Sequence, residues 1–585
     1  MPNLSPIQQD ALRQVLEEYE NQYDPNERML SSEAYKVGYH TTVRGGAMHP
    51  TRESLAYAVA LLDSGNAESL ERAAGILRRV ASLQDQDPES KTYGIWSWYL
   101  EEPLERMSPP DWNWADFCGV QLLAAYRDHH DRMPGDLPDI LQQAIVHAAR
   151  SIERRNVAPS YTNIALMGTY VTLVAAETFG MTDLLDYARD RTRRVHEYIT
   201  YHGSFNEYNS PTYTAVAVTE LSRLLADAKD EQSRTFMREI HDLAWKHIAT
   251  HFHPPTRQWA GPHSRCYETD LRKRPKTMAF IQAGTRNAVP YYQNEAIPLG
   301  LDGYRVPLSC PDEWIPLFAS LESEKSVLET FTRADPLSDG QRNAVIGTTF
   351  LGRRFTLGSV NYAVMWDQRR NVLAYWGTPE KTGYLHVRFL HDGHDYSSAH
   401  IAAVQKDGSL LAALAFATEG GDTHPNLDLL QNATISAEDF RLRFQFGGDI
   451  EAVELPETWS SGDRITLKDR DIVISIYLLC ASFADRRTSI EVHRDDKCAC
   501  VDIILHSGSR ESFDFSKMNE ACVAFCLRMQ DRDEGSQAQW DAFARLEGDR
   551  CSCMWRLQSE TLQVSVPRKP LPKDTLRDSL EMQIL

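Results

Sequence analysis

The sequence predicts an α+β chain in two parts, an N-terminal (α/α) toroid over residues 1–330 and a C-terminal antiparallel β-sandwich domain over residues 331–585. Three observations lead there. Apolar residues recur at helical spacing as far as about residue 300. Beyond about residue 335 the period becomes two, and no helical pattern separates the short strand-like runs that follow. With 585 residues, 42% of them hydrophobic and 25% charged, the chain is long enough for two large domains, each with its own core.

Helical patterns run near residues 5–20, 52–64, 116–129, 139–154, 183–199 and 231–250. Between them lie apolar stripes: Leu70, Ala73, Ala74, Leu77, Val80 and Ala81; Ile164, Met167, Val171 and Val174; Tyr213, Val216, Ala217, Leu221 and Leu224. Breakers at Ser64-Gly65-Asn66, Pro134-Gly135, Gly180 and Pro254-Pro255 mark the ends. About ten helices arriving as pairs, without a strong sequence repeat, suit a ring of helical hairpins better than a regular solenoid. Pro307, Pro311 and Pro316 mark the junction. The strands that follow include Phe355-Thr356-Leu357, Ile472 to Tyr477, Cys500 to Ile504 and Leu562 to Val566, with turns at Gly420-Gly421-Asp422 and Ser460-Ser461-Gly462-Asp463. Such strands imply antiparallel sheets stacked face to face.

Lys and Arg total 62 against 82 Asp and Glu, a net charge of −20, which argues against nucleic acid and anionic membranes as partners. No run approaches the ~18 apolar residues of a membrane span. Met1 to Ser5 has neither the basic nor the apolar region of a secretory leader, so the expectation is a cytoplasmic protein, or a secreted one whose leader has been removed. Asn3-Leu4-Ser5 and Asn432-Ala433-Thr434 fit the glycosylation sequon, a triplet common by chance. Ten cysteines are too few for a disulfide scaffold. Cys498/Cys500 and Cys551/Cys553 are C-x-C pairs whose period of two puts both sulfurs on one strand face; zinc sites more often use C-x-x-C, so the reading is core thiols and no metal.

P-loop, dinucleotide, zincin and nucleophile-elbow motifs are all absent. The unusual feature is aromatic: Trp96, Trp98, Trp112 and Trp114, with Tyr93 and Tyr99, fall within a short stretch. Indole faces stack on the C–H faces of sugar rings, so the cluster suggests a carbohydrate groove; core tryptophans sealing helix ends are the alternative. Ser160-Tyr161-Thr162-Asn163, Gly203 to Tyr213 and Gly261 to Tyr267 each gather polar groups at a helix start or turn. Singly each reads as a cap or turn. Together they bring an amide, phenols, an imidazole and a guanidinium to the ends of separate helices, which a toroid gathers into one cleft.

Asp111-Trp112-Asn113-Trp114-Ala115-Asp116-Phe117-Cys118-Gly119 resembles the N-W-W-x-W-E-I-G segment of hyaluronate, chondroitin and xanthan lyases. Gly203-Ser204-Phe205 and Tyr213-Thr214-Ala215 resemble the D-G-S-F and Y-T-G-A parts of their catalytic-tyrosine segment. The Glu207, Ser210-Pro211, Tyr213 spacing is similar to E-Q-S-P-x-Y of heparinase-like lyases, and Gly261 to Arg265 resembles G-R-x-I-S-R. The resemblance covers residues 90–270, in the same order, and implies a toroid-plus-sandwich polysaccharide lyase. Such enzymes cleave a uronate glycan by β-elimination to a 4,5-unsaturated uronate. By position, Asn163 would neutralise the carboxylate, Tyr213 would act as base, acid or both, and Arg265 would aid Tyr213 and the carboxylate. Trp96, Trp98, Trp112, Trp114, Asp116, Glu207, Tyr267 and His394 would line the substrate path. Fixed donors hold the developing charge without ionising, and a guanidinium favours a phenolate.

In one respect the chain departs from the pattern. The histidine of D-G-S-F-x-x-H aligns with Tyr208, which leaves the base open among Tyr213, Tyr208, His263 and the histidines of His391-Asp392-Gly393-His394-Asp395. That loop otherwise reads as a surface turn or a structural divalent-cation site; no cofactor is required. The second reading is a glycoside hydrolase using a carboxylate pair from Asp116, Glu207, Glu268 and Asp270. The third is a carbohydrate-binding protein without catalysis. The absence of an extended basic track points away from highly sulfated polymers, toward exo action on a short uronate-containing glycan.

Overall fold

The computed structural model describes residues 2, 4–33, 40–293, 296–334, 344–455, 464–534 and 540–585; the Ser460-Ser461-Gly462-Asp463 turn and Asn3 of the first sequon lie outside them. The chain divides into two compact units. The first holds residues 1–201, 213–245 and 275–311, the second residues 202–212, 246–274 and 312–585. The sequence suggested one passage between domains near residue 330; the chain instead enters the second unit three times.

The first unit is helical. α1 (Pro6–Glu20) starts at a capping box in which the Ser5 hydroxyl accepts from the Gln8 N–H and the Gln8 side chain accepts from the Ser5 N–H. α2 (Thr51–Ser64) and α3 (Ala67–Ala81) form a hairpin broken at Gly65, whose φ of 80° is the left-handed stop expected of a glycine. α4 (Trp114–His129) pairs with α5 (Leu137–Arg155). α6 (Thr162–Phe179), α7 (Thr182–His202), α8 (Tyr213–Asp227) and α9 (Glu231–His251) continue the alternation. α2, α4, α6 and α8 pack in succession, while α3 packs on α5. α7 is tied to α5 by Arg150–Asp183 at 2.6 Å and to α9 by His196–Glu239 at 2.6 Å.

Burial explains which helices lie inside. In α6 every residue from Thr162 to Ala176 is buried, whereas α3 buries one stripe and exposes a charged face. An inner helix is separated from the next by one outer helix, so successive inner helices run parallel. Their N-termini gather at one end of the ring.

The second unit is built on antiparallel sheets, as the period of two predicts. A nine-stranded sheet runs in spatial order Ser489–Arg494, Ala499–Asp514, Thr434–Gly448, Thr382–His391, Val372–Gly377, Phe355–Val360, Val345–Leu351 and Lys325–Thr332, with a short strand added beside Thr382–His391. Against it lies a six-stranded sheet centred on Ile472–Phe483, Ala521–Asp531 and Ser409–Phe416. Phe389, Phe440, Phe444, Phe525 and their aliphatic neighbours fill the layer between the two. A four-stranded sheet (Asp541–Glu547, Arg550–Arg556, Thr561–Pro567, Glu581–Ile584) covers the other face of the six-stranded one through Trp555, Val564, Ala413 and Ala524. The sandwich thus carries a third layer.

Strand alternation sorts the nine-stranded sheet. Leu385, Val387 and Phe389 face the sandwich core, leaving Tyr384, His386 and Arg388 on the opposite face. Segment 246–274 is laid on that outer face. The Gly261 carbonyl accepts from Thr349 Oγ1 at 2.6 Å, and the Tyr375 hydroxyl donates to the Thr269 carbonyl. A Cβ at position 358 would stand 2.0 Å from the Gly261 oxygen, so only glycine admits this approach.

Candidate active site

In the first unit the N-termini of α2, α4 and α6 meet around the tryptophans. The Trp114 indole N–H donates to Thr51 Oγ1 at 3.0 Å, joining α4 to α2. Asn113 Nδ2 donates to the Tyr161 hydroxyl at 3.2 Å, joining α4 to α6, and Arg155 holds Asn113 Oδ1 at 2.7 Å. Trp98 stacks on Trp114 with centroids 5.0 Å apart and an interplanar angle of 26°, and its N–H is fixed by Asp111. Trp112 is anchored through its N–H to the Lys91 carbonyl. Trp98, Trp112 and Trp114 are each half-buried, with an edge left to solvent. Asn163 is the second residue of α6 and is 4% exposed; Tyr213 opens α8, which packs on α6, and is half-buried.

Two residues expected to line the substrate path lie elsewhere. Trp96 is completely buried, its N–H on the Val80 carbonyl at 2.8 Å, so it packs the core and presents no face to a sugar. Asp116 is also sealed. It points from α4 at Gly168 of α6, where an added Cβ would lie 2.7 Å from Asp116 Oδ1 and 2.9 Å from Arg191 Nη2. Burial, offset in part by the charges of Arg191 and Arg155, lifts its pKa to about 7. Arg191 in turn donates to the Ala165 carbonyl at 3.2 Å, in the turn that carries Asn163. Asp116 and Arg191 therefore buttress α6 from behind.

The second unit assembles a different group. Arg265 is held on four sides: Nε donates to Gln368 Oε1 at 2.7 Å, Nη1 to Glu207 Oε1 at 3.3 Å and Nη2 to the Tyr267 hydroxyl at 3.3 Å, while the guanidinium lies 5.0 Å from the Trp366 ring centre. Tyr267 is exposed, so the cluster reaches solvent there. Tyr208 is buried, its ring 4.1 Å from that of Phe331 at 8°, and its hydroxyl has no hydrogen-bond partner among the described residues. Burial raises its pKa, against the opposing charge of Arg369. His263 is buried too, with Nδ1 against the Asn209 carbonyl at 2.6 Å; burial drives its pKa down to about 3, so the ring is neutral at ordinary pH.

His386, which no motif singles out, is buried on the outer face of the nine-stranded sheet, and burial together with Arg370 and Arg388 pushes its pKa well down. His394 is exposed at a hairpin tip. Its neighbours are committed: His391 Nδ1 meets Asp422 Oδ1 at 2.9 Å, Asp392 accepts from the Glu438 and Asp439 amides, and Asp395 binds Arg388. Asp270, one of the carboxylates considered for hydrolysis, accepts from Arg272 on both oxygens and from Gln258. With Asp116 sealed and Asp270 saturated, no specific observation favours the carboxylate-pair reading.

A family model described as "Domain of unknown function (DUF8769)" matches residues 9–296. No curated protein matches the sequence. Among solved structures, the chondroitin AC lyase of Streptomyces coelicolor A3 is similar with a TM-score of 0.48 at 10% identity, over 97% of this chain and 88% of that one. Heparinase III gives 0.41 at 11% identity, over 97% and 91%. A mutant of the heparan sulfate lyase HepC from Pedobacter heparinus gives 0.33 at 11%, over 97% and 90%. At these scores the likeness bears on neither the activity nor the substrate of this chain. No helix among the described residues is long and apolar enough to cross a membrane.

Proposed function

We propose that the protein is a polysaccharide or oligosaccharide lyase that cleaves a uronate-containing glycan by β-elimination. The observation that carries this reading lies within the helical unit. Parallel inner helices bring the Trp98/Trp114 stack, Asn113 and Tyr161 to the end of the ring where Asn163 and Tyr213 open their helices. Helix N-termini favour an anionic group, and an amide held against that end donates to a carboxylate without ionising. In this reading Asn163 neutralises the uronate carboxylate, so that the charge left on removing the C5 proton is shared into it. The Tyr213 phenol takes the C5 proton, or returns one to the leaving glycosidic oxygen, or does both. Trp98, Trp112 and Trp114 supply the stacking surface.

The test is a pair of variants assayed on whichever glycan yields product. Tyr213→Phe removes one oxygen and keeps the ring; loss of acid–base transfer lowers turnover at least ~100-fold with the melting temperature unchanged. Asn163→Ala, with lost oxyanion-type stabilisation, falls on the order of 10²–10³-fold. A folded Tyr213→Phe enzyme with near-normal turnover overturns the assignment.

A further inference from the structure

Away from these residues, three strands of the second unit bring thiols to one point. Cys480 lies in Ile472–Phe483, Cys522 in Ala521–Asp531 and Cys551 in Arg550–Arg556, so two are on the six-stranded sheet and one on the four-stranded sheet facing it. Their sulfurs all lie within 4.8 Å of one another. Cys553, two residues along the same strand face, has its sulfur 3.7 Å from that of Cys551. All the cysteines of the described chain are thiols, so no disulfide explains the convergence.

A free thiol packs like a small hydrophobe, and much of this layer is indeed alanine, leucine and valine. The register of Ile472–Phe483 argues for more than filling. Ile472, Ile474 and Ile476 face the core shared with the nine-stranded sheet, and strict alternation would send Cys480 the same way. A β-bulge between Leu478 and Cys480 shifts the pairing with Ala521–Asp531, after which Ala481 and Phe483 take the inner face. Cys480 is thereby turned to the side of Cys522 and Cys551. Bulges commonly re-aim a side chain in this way at functional places.

We propose that Cys480, Cys522 and Cys551 form a three-thiolate site for one zinc ion that ties the six-stranded sheet to the four-stranded sheet, its fourth position open toward the rim at half-buried Cys480. Thiolates around a tetrahedral zinc at ~2.3 Å stand about 3.8 Å apart, so the Cys480, Cys522 and Cys551 sulfurs, all within 4.8 Å of one another, need to close by no more than about 1 Å. A single ion fits this spacing; an iron–sulfur core would hold its thiolates further apart. Cys480, only half-buried, gives the ion a way in from the rim. Each thiol that binds gives its proton to solvent, so uptake releases protons and weakens as the pH falls.

The full-length protein, purified under reducing conditions and dialysed against zinc, is expected to hold about one zinc per chain. Cobalt added to the metal-stripped protein is expected to give the intense visible bands of a tetrahedral thiolate complex. Cys480→Ser, at the rim, should lose at least about tenfold in zinc affinity, while Cys498→Ser/Cys500→Ser, a C-x-C pair outside the cluster, keeps full stoichiometry. Should Cys480→Ser fail to fold, the cobalt spectrum of the unaltered protein decides alone. Any of three results overturns the proposal: no zinc and no cobalt–thiolate spectrum, unchanged zinc affinity in folded Cys480→Ser, or a disulfide among these cysteines in a non-reducing digest.

Discussion

Asp116→Asn separates a carboxylate that touches substrate from one that supports a helix. The side chain is 2% exposed, and burial, partly offset by Arg191 and Arg155, raises its pKa from 3.8 to about 7. An acid whose folded pKa is raised holds its proton in the native state while the unfolded chain has already lost it. Stability is therefore highest at low pH and is lost as the pH climbs from the ordinary Asp range through about 7. At about 1.4 kcal/mol per unit the whole range is worth about 4 kcal/mol, and about 3 kcal/mol of it falls between about pH 5 and about pH 8.5. Asn cannot ionise. Denaturant unfolding followed by helical circular dichroism at the two pH values should show the unaltered protein losing about 3 kcal/mol more than Asp116→Asn. Because Asp116 is sealed behind α6, the variant should keep turnover within a few fold. Parallel pH profiles in the two proteins would refute the buried, proton-holding carboxyl. A collapse of activity with stability intact would return Asp116 to the substrate path.

Trp96→Ala and Trp98→Ala should fail in opposite ways. The first opens a core cavity and costs about 3–5 kcal/mol of stability; the second removes half of a partly exposed stack, raising KM about 2- to 12-fold for about 0.5–1.5 kcal/mol of lost stacking. Equal melting losses in both would remove the distinction between core and groove tryptophans. Gly358→Ala places a methyl against the Gly261 carbonyl, 2.0 Å away, and should lower stability by about 1–3 kcal/mol or more, read as a drop in the melting of the β unit. A melting temperature equal to the unaltered protein's would show that segment 246–274 does not lie on that strand.

The layout was legible where neighbours in sequence decide it. The helical spacing over residues 5–20, the Ile164, Met167, Val171 and Val174 stripe and the period of two from Ile472 to Tyr477 each announce their element locally. What failed depends on distant partners. Trp96 and Trp98 are two residues apart, and an extended segment turns one inward and the other out; a count of tryptophans cannot say which. Asp116 looked available because Gly168 and Arg191, which enclose it, lie on later helices. The return of residues 202–212 and 246–274 to the β unit, and the third sheet, follow from pairings many residues apart. Cys480, Cys522 and Cys551 share no motif spacing. A single bulge decides that they face one another.

The chemistry of the product is the most direct test of β-elimination. Elimination across C4 and C5 of a uronate leaves a conjugated double bond that absorbs in the ultraviolet, and hydrolysis leaves none. Incubating the protein with glucuronate- and galacturonate-containing oligosaccharides should raise that absorbance in step with new reducing ends, and Tyr213→Phe should slow both at least ~100-fold. New reducing ends without the chromophore would contradict a lyase and point to a carboxylate-assisted hydrolysis instead.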